Sequence, residues 1–120
     1  FGPTPRDYHQ DVPRKVRALA RRSALNARAI REEIAVLERF ELDGPKTKAV
    51  VELLRKIGSA DKKVLILTAG INSNVYLSAR NLPQVAVRPV HEVSAYELMT
   101  ANEVVIEADA LTPATEVANA

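Results

Sequence analysis

Short uncharged apolar runs alternate along this chain with segments whose apolar residues recur at helical spacing. The apolar runs occupy residues 34–37, 64–67, 85–87 and 104–106. Runs of this kind are typical of parallel strands that are covered on both faces. The helical segments between them occupy residues 46–57, 72–80 and 94–101. Strict alternation with short connections predicts an α/β fold, a mostly parallel four-stranded sheet flanked by helices and joined by right-handed crossovers.

A longer helical segment precedes the first of these strands. From Pro13 to about Glu32 the chain has no further proline and no glycine, and alanine, leucine and arginine dominate. That composition favours one long helix with proline in its first turn. Residues 1–12 contain two prolines and a glycine among mostly polar residues, which favours an extended arm. We therefore predict a basic arm over residues 1–12, one α/β domain over residues 13–120, and a weak terminal helix near Thr112.

Composition and missing motifs exclude several functional classes. The chain has no cysteine, so disulfides, thiol nucleophiles and cysteine-ligated metals are excluded. No apolar run approaches the ~20 residues of a membrane helix, and we expect no membrane partner and a cytoplasmic location. The four glycines are far apart, so neither a dinucleotide-binding fingerprint nor a P-loop is present. Because His9 and His91 lack assignable carboxylate support, we expect no catalytic site, no cofactor and no metal.

Charge is segregated along the sequence. Residues 1–31 carry eight arginines or lysines and two aspartates, a net charge of +6. Residues 32–91 have a net charge of +2, and residues 92–120 carry six acidic and no basic residues. Such asymmetry indicates a polyanionic partner for the basic end, with a plain solvated surface as the alternative.

The long basic helix carries the most informative pattern. At about 100° per residue, its positions separate into two sides. The apolar side consists of Val16, Leu19, Ser23, Ala27 and Ile30. The opposite side consists of Arg14, Arg17, Arg21 and Arg28, flanked by Lys15 and Arg22. We expect the apolar side to pack on the sheet and the arginine side to face outward.

Nucleic acid is the partner that this pattern favours. No acidic residue interrupts positions 13–31, although interleaved glutamates would stabilise the helix. One planar guanidinium group can donate hydrogen bonds to two phosphate oxygens at once, and it is more weakly hydrated than an ammonium group. A solvated basic face, an anionic membrane and an acidic protein are the alternatives, although lipid insertion favours aromatic residues that this helix lacks. Further candidates for the nucleic-acid contact are Arg6 and Tyr8 in the arm, Lys46 and Lys48 at the start of the second helix, and Arg80 and Asn81 after the third.

Five ordered segments resemble the C-terminal globular part of the bacterial ribosomal protein four family of the large subunit. They are residues 1–8 (FGPTPRDY), 13–25 (PRKVRALARRSAL), 45–48 (PKTK), 78–85 (SARNLPQV) and 104–111 (VVIEADAL). The resemblance implies a Rossmann-like domain that binds large-subunit ribosomal RNA, lies beside other ribosomal proteins and aids subunit assembly without catalysis. The RNA-facing residues that it implies are Arg6, Tyr8, Arg14, Lys15, Arg17, Arg21 and Arg22, with Lys46, Lys48, Arg80 and Asn81 in second rank.

The sequence departs from that family at its start. Family members begin with a strand, a helix and a long loop rich in glycine and arginine, and this sequence starts just after the loop. The resemblance therefore implies a domain that is incomplete at its N-terminus, with an uncovered sheet edge that favours self-association.

Two other functions are consistent with the residues. One is a small nucleotide- or ligand-binding α/β protein that uses the strand ends near Thr68 to Asn72, since open α/β sheets bind ligands beyond the carboxyl ends of their strands. The other is a protein-interaction scaffold whose acidic C-terminal third binds a basic partner.

Overall fold

Helices and strands alternate through residues 2–5, 13–39 and 42–111, the part of the chain that the computed structural model describes. The helices are α1 (Arg14–Ile30), α2 (Thr47–Ile57), α3 (Ser73–Ala79) and α4 (Ala95–Thr100). The strands are β1 (Ile34–Leu37), β2 (Val64–Thr68), β3 (Val85–Pro89) and β4 (Glu103–Glu107), and a 3₁₀ turn follows at Ala108–Leu111. The predicted α/β fold is confirmed. Most of the predicted arm, and the predicted terminal helix near Thr112, lie outside the described residues.

The four strands form one sheet in the order β1-β4-β2-β3, and every pair is parallel. β2 and β4 are the inner strands, and every residue of β2 is buried. Burial on both faces explains why the runs in these strands lack the alternation of a half-exposed strand. β1 lies at one edge of the sheet, where Val36 is 56% exposed.

Alternate residues of the inner strands divide the core into two layers. On one face of the sheet, Leu65, Leu67, Val104 and Ile106 pack with Leu98 of α4 and Ala24 of α1. On the other face, Val64, Ile66 and Val105 pack with Val50 and Leu54 of α2 and with Val75 and Ala79 of α3. Consequently α1 and α4 cover one face, and α2 and α3 cover the other. Any surface built on α1 is therefore separated by the sheet from any surface built on α2 and α3.

α1 and α2 end in the same hydrogen-bonded turn but place different residues in its left-handed position. After α2, Gly58 has a φ of 84°, and the next residue's N–H bonds back into the helix at 2.9 Å. After α1, Glu32 takes this position with a φ of 58°, and the corresponding bond is 3.1 Å long. A left-handed backbone costs a residue with a Cβ about 1 kcal/mol, whereas glycine adopts it readily. α1 is therefore joined to β1 by a short turn that carries backbone strain at Glu32.

Exchanging the residue type in these two turns has opposite expected effects. Glu32→Gly is expected to raise the free energy of unfolding by up to about 1 kcal/mol, and Gly58→Ala to lower it by about 1 kcal/mol. Urea unfolding followed by circular dichroism measures both changes. Gly44→Ala is the matched control, because Gly44 has no left-handed φ and an added Cβ would meet no atom within 4 Å. A less stable Glu32→Gly variant would contradict the assignment of strain.

Candidate nucleic-acid interface

The orientation of α1 is the reverse of the one predicted from its helical wheel. Three residues expected to pack on the sheet are exposed: Val16 by 50%, Leu19 by 61% and Ile30 by 83%. The side of the helix that packs on the protein instead contains Ala24, which is buried, and Leu25, which contacts the same core. The prediction that the apolar side packs on the sheet is therefore wrong. The reason lies in the arginines on the packed side.

Arg28 is turned toward α4 and is not directed outward. Its Nε donates to the carbonyl of Leu98 at 2.9 Å, and its Nη2 donates to the carbonyl of Met99. Its Nη1 forms an ion pair with Glu33, and only 14% of the Arg28 side chain is exposed. A cation beside the last carbonyls of a helix is favoured by the helix dipole, and the last turn of α4 has no basic residue of its own. Arg28 therefore fastens α1 to the C-terminal end of α4.

Arg21 makes the same kind of contact two turns earlier. This half-buried side chain donates from Nη1 to the carbonyl of His91 at 3.0 Å, in the loop that precedes α4. The two arginines are seven residues apart, and so are their partners His91 and Leu98. The two helices therefore run parallel, with one arginine at each end of α4. The expectation that Arg21 and Arg28 face outward is wrong, because both bind backbone carbonyls of their own domain.

The remaining cations of α1 lie on the surface. They are Arg14, Lys15, Arg17 and Arg22, with Arg31 directly after the helix. In residues 14–20 no side chain is buried, whereas packing on the core begins at Ala24. The first turn of α1 has no acidic residue and no side-chain cap. This half of the helix is thus an exposed and strongly positive surface, held in place by its other half.

The second-rank candidates lie on the other side of the sheet. Lys46, Lys48, Arg80 and Asn81 are all exposed. The backbone N–H of Lys46 donates to the hydroxyl of Ser78 at 2.7 Å, so the start of α2 lies beside the last turn of α3. The predicted residues therefore form two groups on opposite faces of the sheet. The predicted contacts Arg6 and Tyr8 lie outside the described residues.

A cleft of about 310 Å³ opens at the strand ends where a nucleotide site is the alternative prediction. Its side walls come from the ends of β1, β2 and β4, and its polar lining residues are Arg39, Asn72, Ser73, Asn74, Glu107 and Asp109. Glu107 is buried and accepts a hydrogen bond from the N–H of Ala69 at 3.1 Å. Two carboxylates in one cleft disfavour phosphate binding there.

Within residues 2–5, 13–39 and 42–111, no group of three or more histidine, aspartate or glutamate side chains is arranged to hold a metal ion. None of the helices α1 to α4 has the length and apolarity needed to cross a bilayer.

Comparison with curated proteins finds many similar sequences named large ribosomal subunit protein uL4. The relative from Clostridium kluyveri is 43% identical over 117 residues, which cover 98% of this chain and 56% of the relative. The relative from Chlorobium phaeobacteroides is 42% identical over 93% of this chain and 54% of its own length. The relative from Amoebophilus asiaticus is 39% identical over 97% of this chain and 55% of its own length. The chain thus spans about half the length of the curated relatives it matches.

A model of one protein family matches nearly the whole chain. It is described as the ribosomal protein L4/L1 family and matches residues 1–117. The match includes the basic helix, the sheet and the turn after β4, so it covers every element that the structure describes. The resemblance inferred from five segments of the sequence is thereby confirmed, and the chain belongs to the ribosomal protein L4/L1 family.

Proposed function

We propose that this chain is a structural part of the large ribosomal subunit and binds ribosomal RNA through the exposed cations of α1. One observation carries the proposal: α1 exposes four cations and contains no acidic residue, and its second half is anchored to α4. The proposed contacts are Arg14, Lys15, Arg17 and Arg22. The names of the relatives, large ribosomal subunit protein uL4, support the assignment to that particle. In this role the chain performs no catalysis, aids subunit assembly and contacts neighbouring ribosomal proteins.

The position of these cations supports an anionic partner. Arg14, Lys15 and Arg17 lie in the first turn of a helix that has no side-chain cap. Cations there oppose the helix dipole, each at a cost of roughly 0.3–1 kcal/mol. An RNA phosphate bound beside this turn would offset the cost and accept hydrogen bonds from the guanidinium groups.

We assign a secondary role to the cations on the other face of the sheet. Lys46, Lys48, Arg80 and Asn81 would contact a separate RNA segment, because the sheet lies between them and α1. Arg6 and Tyr8, which precede α1 in the chain, would extend the α1 contact along the same RNA.

The nucleotide-binding alternative has weaker support. A cleft of about 450 Å³ beside Thr68 contains one guanidinium, Arg88, and one carboxylate, Glu92. The cleft beyond the ends of β1, β2 and β4 is lined by Glu107 and Asp109 together with Arg39. Two carboxylates around one guanidinium leave little positive potential for a nucleotide's phosphates. The exposed cations of α1 face solvent on the surface of a helix that does not line this cleft, and a nucleotide site would leave their arrangement unexplained.

The dependence of RNA affinity on salt tests the proposal. A labelled fragment of large-subunit ribosomal RNA is titrated with the 120-residue chain across a range of KCl concentrations, and binding is followed by fluorescence anisotropy. Neutralisation of about four phosphates predicts that log Kd rises with log salt with a slope of roughly 3 to 4. A slope near zero, or no binding at low salt, would overturn the proposed function.

A further inference from the structure

The outer edge of β1 offers backbone hydrogen-bonding groups that have no partner among the described residues. The N–H of Val104 donates to the carbonyl of Glu33 at 2.9 Å, which fixes the alternation along this parallel ladder. Because each residue of such a ladder directs its N–H and C=O to the same side, Ala35 faces β4, and both Ile34 and Val36 face outward. β1 contains no charged residue and no proline. It therefore lacks the features that usually protect an edge strand from pairing with another chain.

The opposite edge of the sheet, at β3, is protected in several ways. The register with β2 turns the backbone groups of Val85, Val87 and Pro89 outward. Pro89 has no N–H, and its carbonyl accepts a hydrogen bond from the N–H of Glu92 at 3.0 Å. The N–H of Val85 bonds back to the turn before β3 at 3.3 Å, and the carbonyl of Val87 accepts from Nη1 of Arg88 at 3.4 Å. Of the two edges that the structure describes, β1 is thus the more open to another strand.

Apolar side chains lie along the same side of the domain as this open edge. Val36 is exposed and lies on the sheet face that α1 covers, because the residues on either side of it pack on the other face. Leu19 and Ile30 each lie nine residues from an arginine that binds α4, and nine residues turn a helix by two full turns and about 180°. Both side chains therefore point away from α4. Since α1 is joined to β1 and α4 leads into β4, that side of α1 faces the β1 edge.

A second copy of this chain would fit the edge with matched spacings. Antiparallel pairing of β1 with its copy about a twofold axis would extend the sheet from four strands to eight, with neighbouring strands about 4.8 Å apart. A helix is about 10 Å across and covers two strands, so the two copies of α1 would lie side by side in contact. Leu19 of one copy would then lie near Ile30 of the other, because the two helices would run antiparallel.

Charge is compatible with this occupant and selects its register. With Val36 opposite Val36 of the second copy, Glu33 lies opposite Arg39 of that copy. A register centred one residue earlier would place Glu32 opposite Glu38, and like charges across a strand pair are destabilising. The net charge of the chain is only +2, so long-range repulsion between copies is small. Nucleic acid and lipid offer no row of N–H and C=O groups at strand spacing, which leaves a protein strand as the occupant.

We infer that the chain, when free of RNA, forms a twofold dimer in which β1 pairs with β1 and α1 packs against α1. At the axis, the Val36 residues of the two copies exchange N–H to C=O hydrogen bonds. This association is independent of the proposed RNA-binding function, and salt distinguishes the two. Salt screens the repulsion between the cationic helices and tightens the dimer, whereas it weakens binding to RNA.

Sedimentation equilibrium of the 120-residue chain, without nucleic acid, measures the association. The average mass is expected to rise toward that of two chains over about a hundredfold range of protein concentration. Added KCl is expected to shift that rise to lower protein concentration. Val36→Pro is expected to weaken the dimer at least about tenfold, because it removes the outward N–H and no bond to β4. Circular dichroism shows whether this variant folds.

Ile30→Lys is a second variant on an exposed helix position, and it is also expected to weaken the dimer at least about tenfold. Ile71→Lys is its matched control, because Ile71 is 82% exposed and Ile30 is 83% exposed, but Ile71 lies in the loop between β2 and α3. The control should dimerise like the parent chain. If Val36→Pro does not fold, the comparison of the two lysine variants decides the outcome.

A chain that stays monomeric at every concentration would overturn the dimer. Folded Val36→Pro and Ile30→Lys variants that associate as the parent does would overturn it too, and so would an equal loss of association in Ile71→Lys. RNA binding, measured separately by anisotropy, is unaffected by any of these results.

Discussion

The triple variant Arg14→Glu, Lys15→Glu, Arg22→Glu is expected to lose at least about a hundredfold in RNA affinity at near-physiological salt. The change replaces three phosphate-binding cations by anions on the surface that we propose to contact RNA. All three side chains are exposed, so no packing is lost. Glutamate in the first turn also complements the helix dipole, so thermal stability should be unchanged or slightly higher. Fluorescence anisotropy and thermal unfolding measure the two effects on one sample.

A control with the same change in net charge separates a local contact from a general loss of positive potential. Arg55→Glu, Lys56→Glu, Lys63→Glu changes three exposed cations outside α1. This variant should bind RNA within a few-fold of the parent chain. An equal loss in both variants would mean that net charge, and not the surface of α1, governs binding. Arg21 is left out of the test variant because its bond to His91 makes it part of the fold.

Arg28→Ala is expected to lower the free energy of unfolding by about 2–3 kcal/mol, the largest effect we predict for a charged residue of this chain. The substitution removes donors from the carbonyls of Leu98 and Met99 and leaves the partly buried Glu33 carboxylate without its cation. Urea unfolding measures the loss. Arg28→Lys should recover less than half of it, because one ammonium cannot reproduce the planar fork that binds three acceptors.

The neighbouring arginine supplies the matched control for Arg28. Arg31 is exposed, and Arg31→Ala should change stability by no more than about 0.5 kcal/mol. The two substitutions remove the same side chain three positions apart. Equal stability of the two variants would show that Arg28 does not hold α1 against α4.

The strands of this fold can be predicted from sequence because burial on both faces leaves a distinctive pattern. β2 has no exposed residue, and its uncharged run marks it without any knowledge of its neighbours. The order of the strands cannot be predicted in that way. β4 lies between β1 and β2 because α4 crosses back on the face opposite α2 and α3, and no local pattern specifies how far a crossover travels.

The prediction of the orientation of α1 from the sequence fails for a different physical reason. A helical wheel assigns arginine to solvent, but the stem of this side chain packs well while its guanidinium finds acceptors. The acceptors of Arg28 are carbonyls 70 and 71 residues away, together with Glu33. A signal was present in the sequence, since the helix at residues 94–101 has no basic residue near its C-terminus. Recognising it requires knowing that α1 and α4 are neighbours, which follows only from the topology.

The short turn at Glu32 gives α1 a mechanical link to the sheet. Three residues connect the helix to β1, and among the described strands β1 bonds to β4 alone. The helix is therefore connected directly to an edge strand, and a ligand that holds α1 in place also restrains that strand. Occupancy of α1 should slow the opening of β1 far more than that of β2, so a ligand on one surface protects a sheet edge that it never touches.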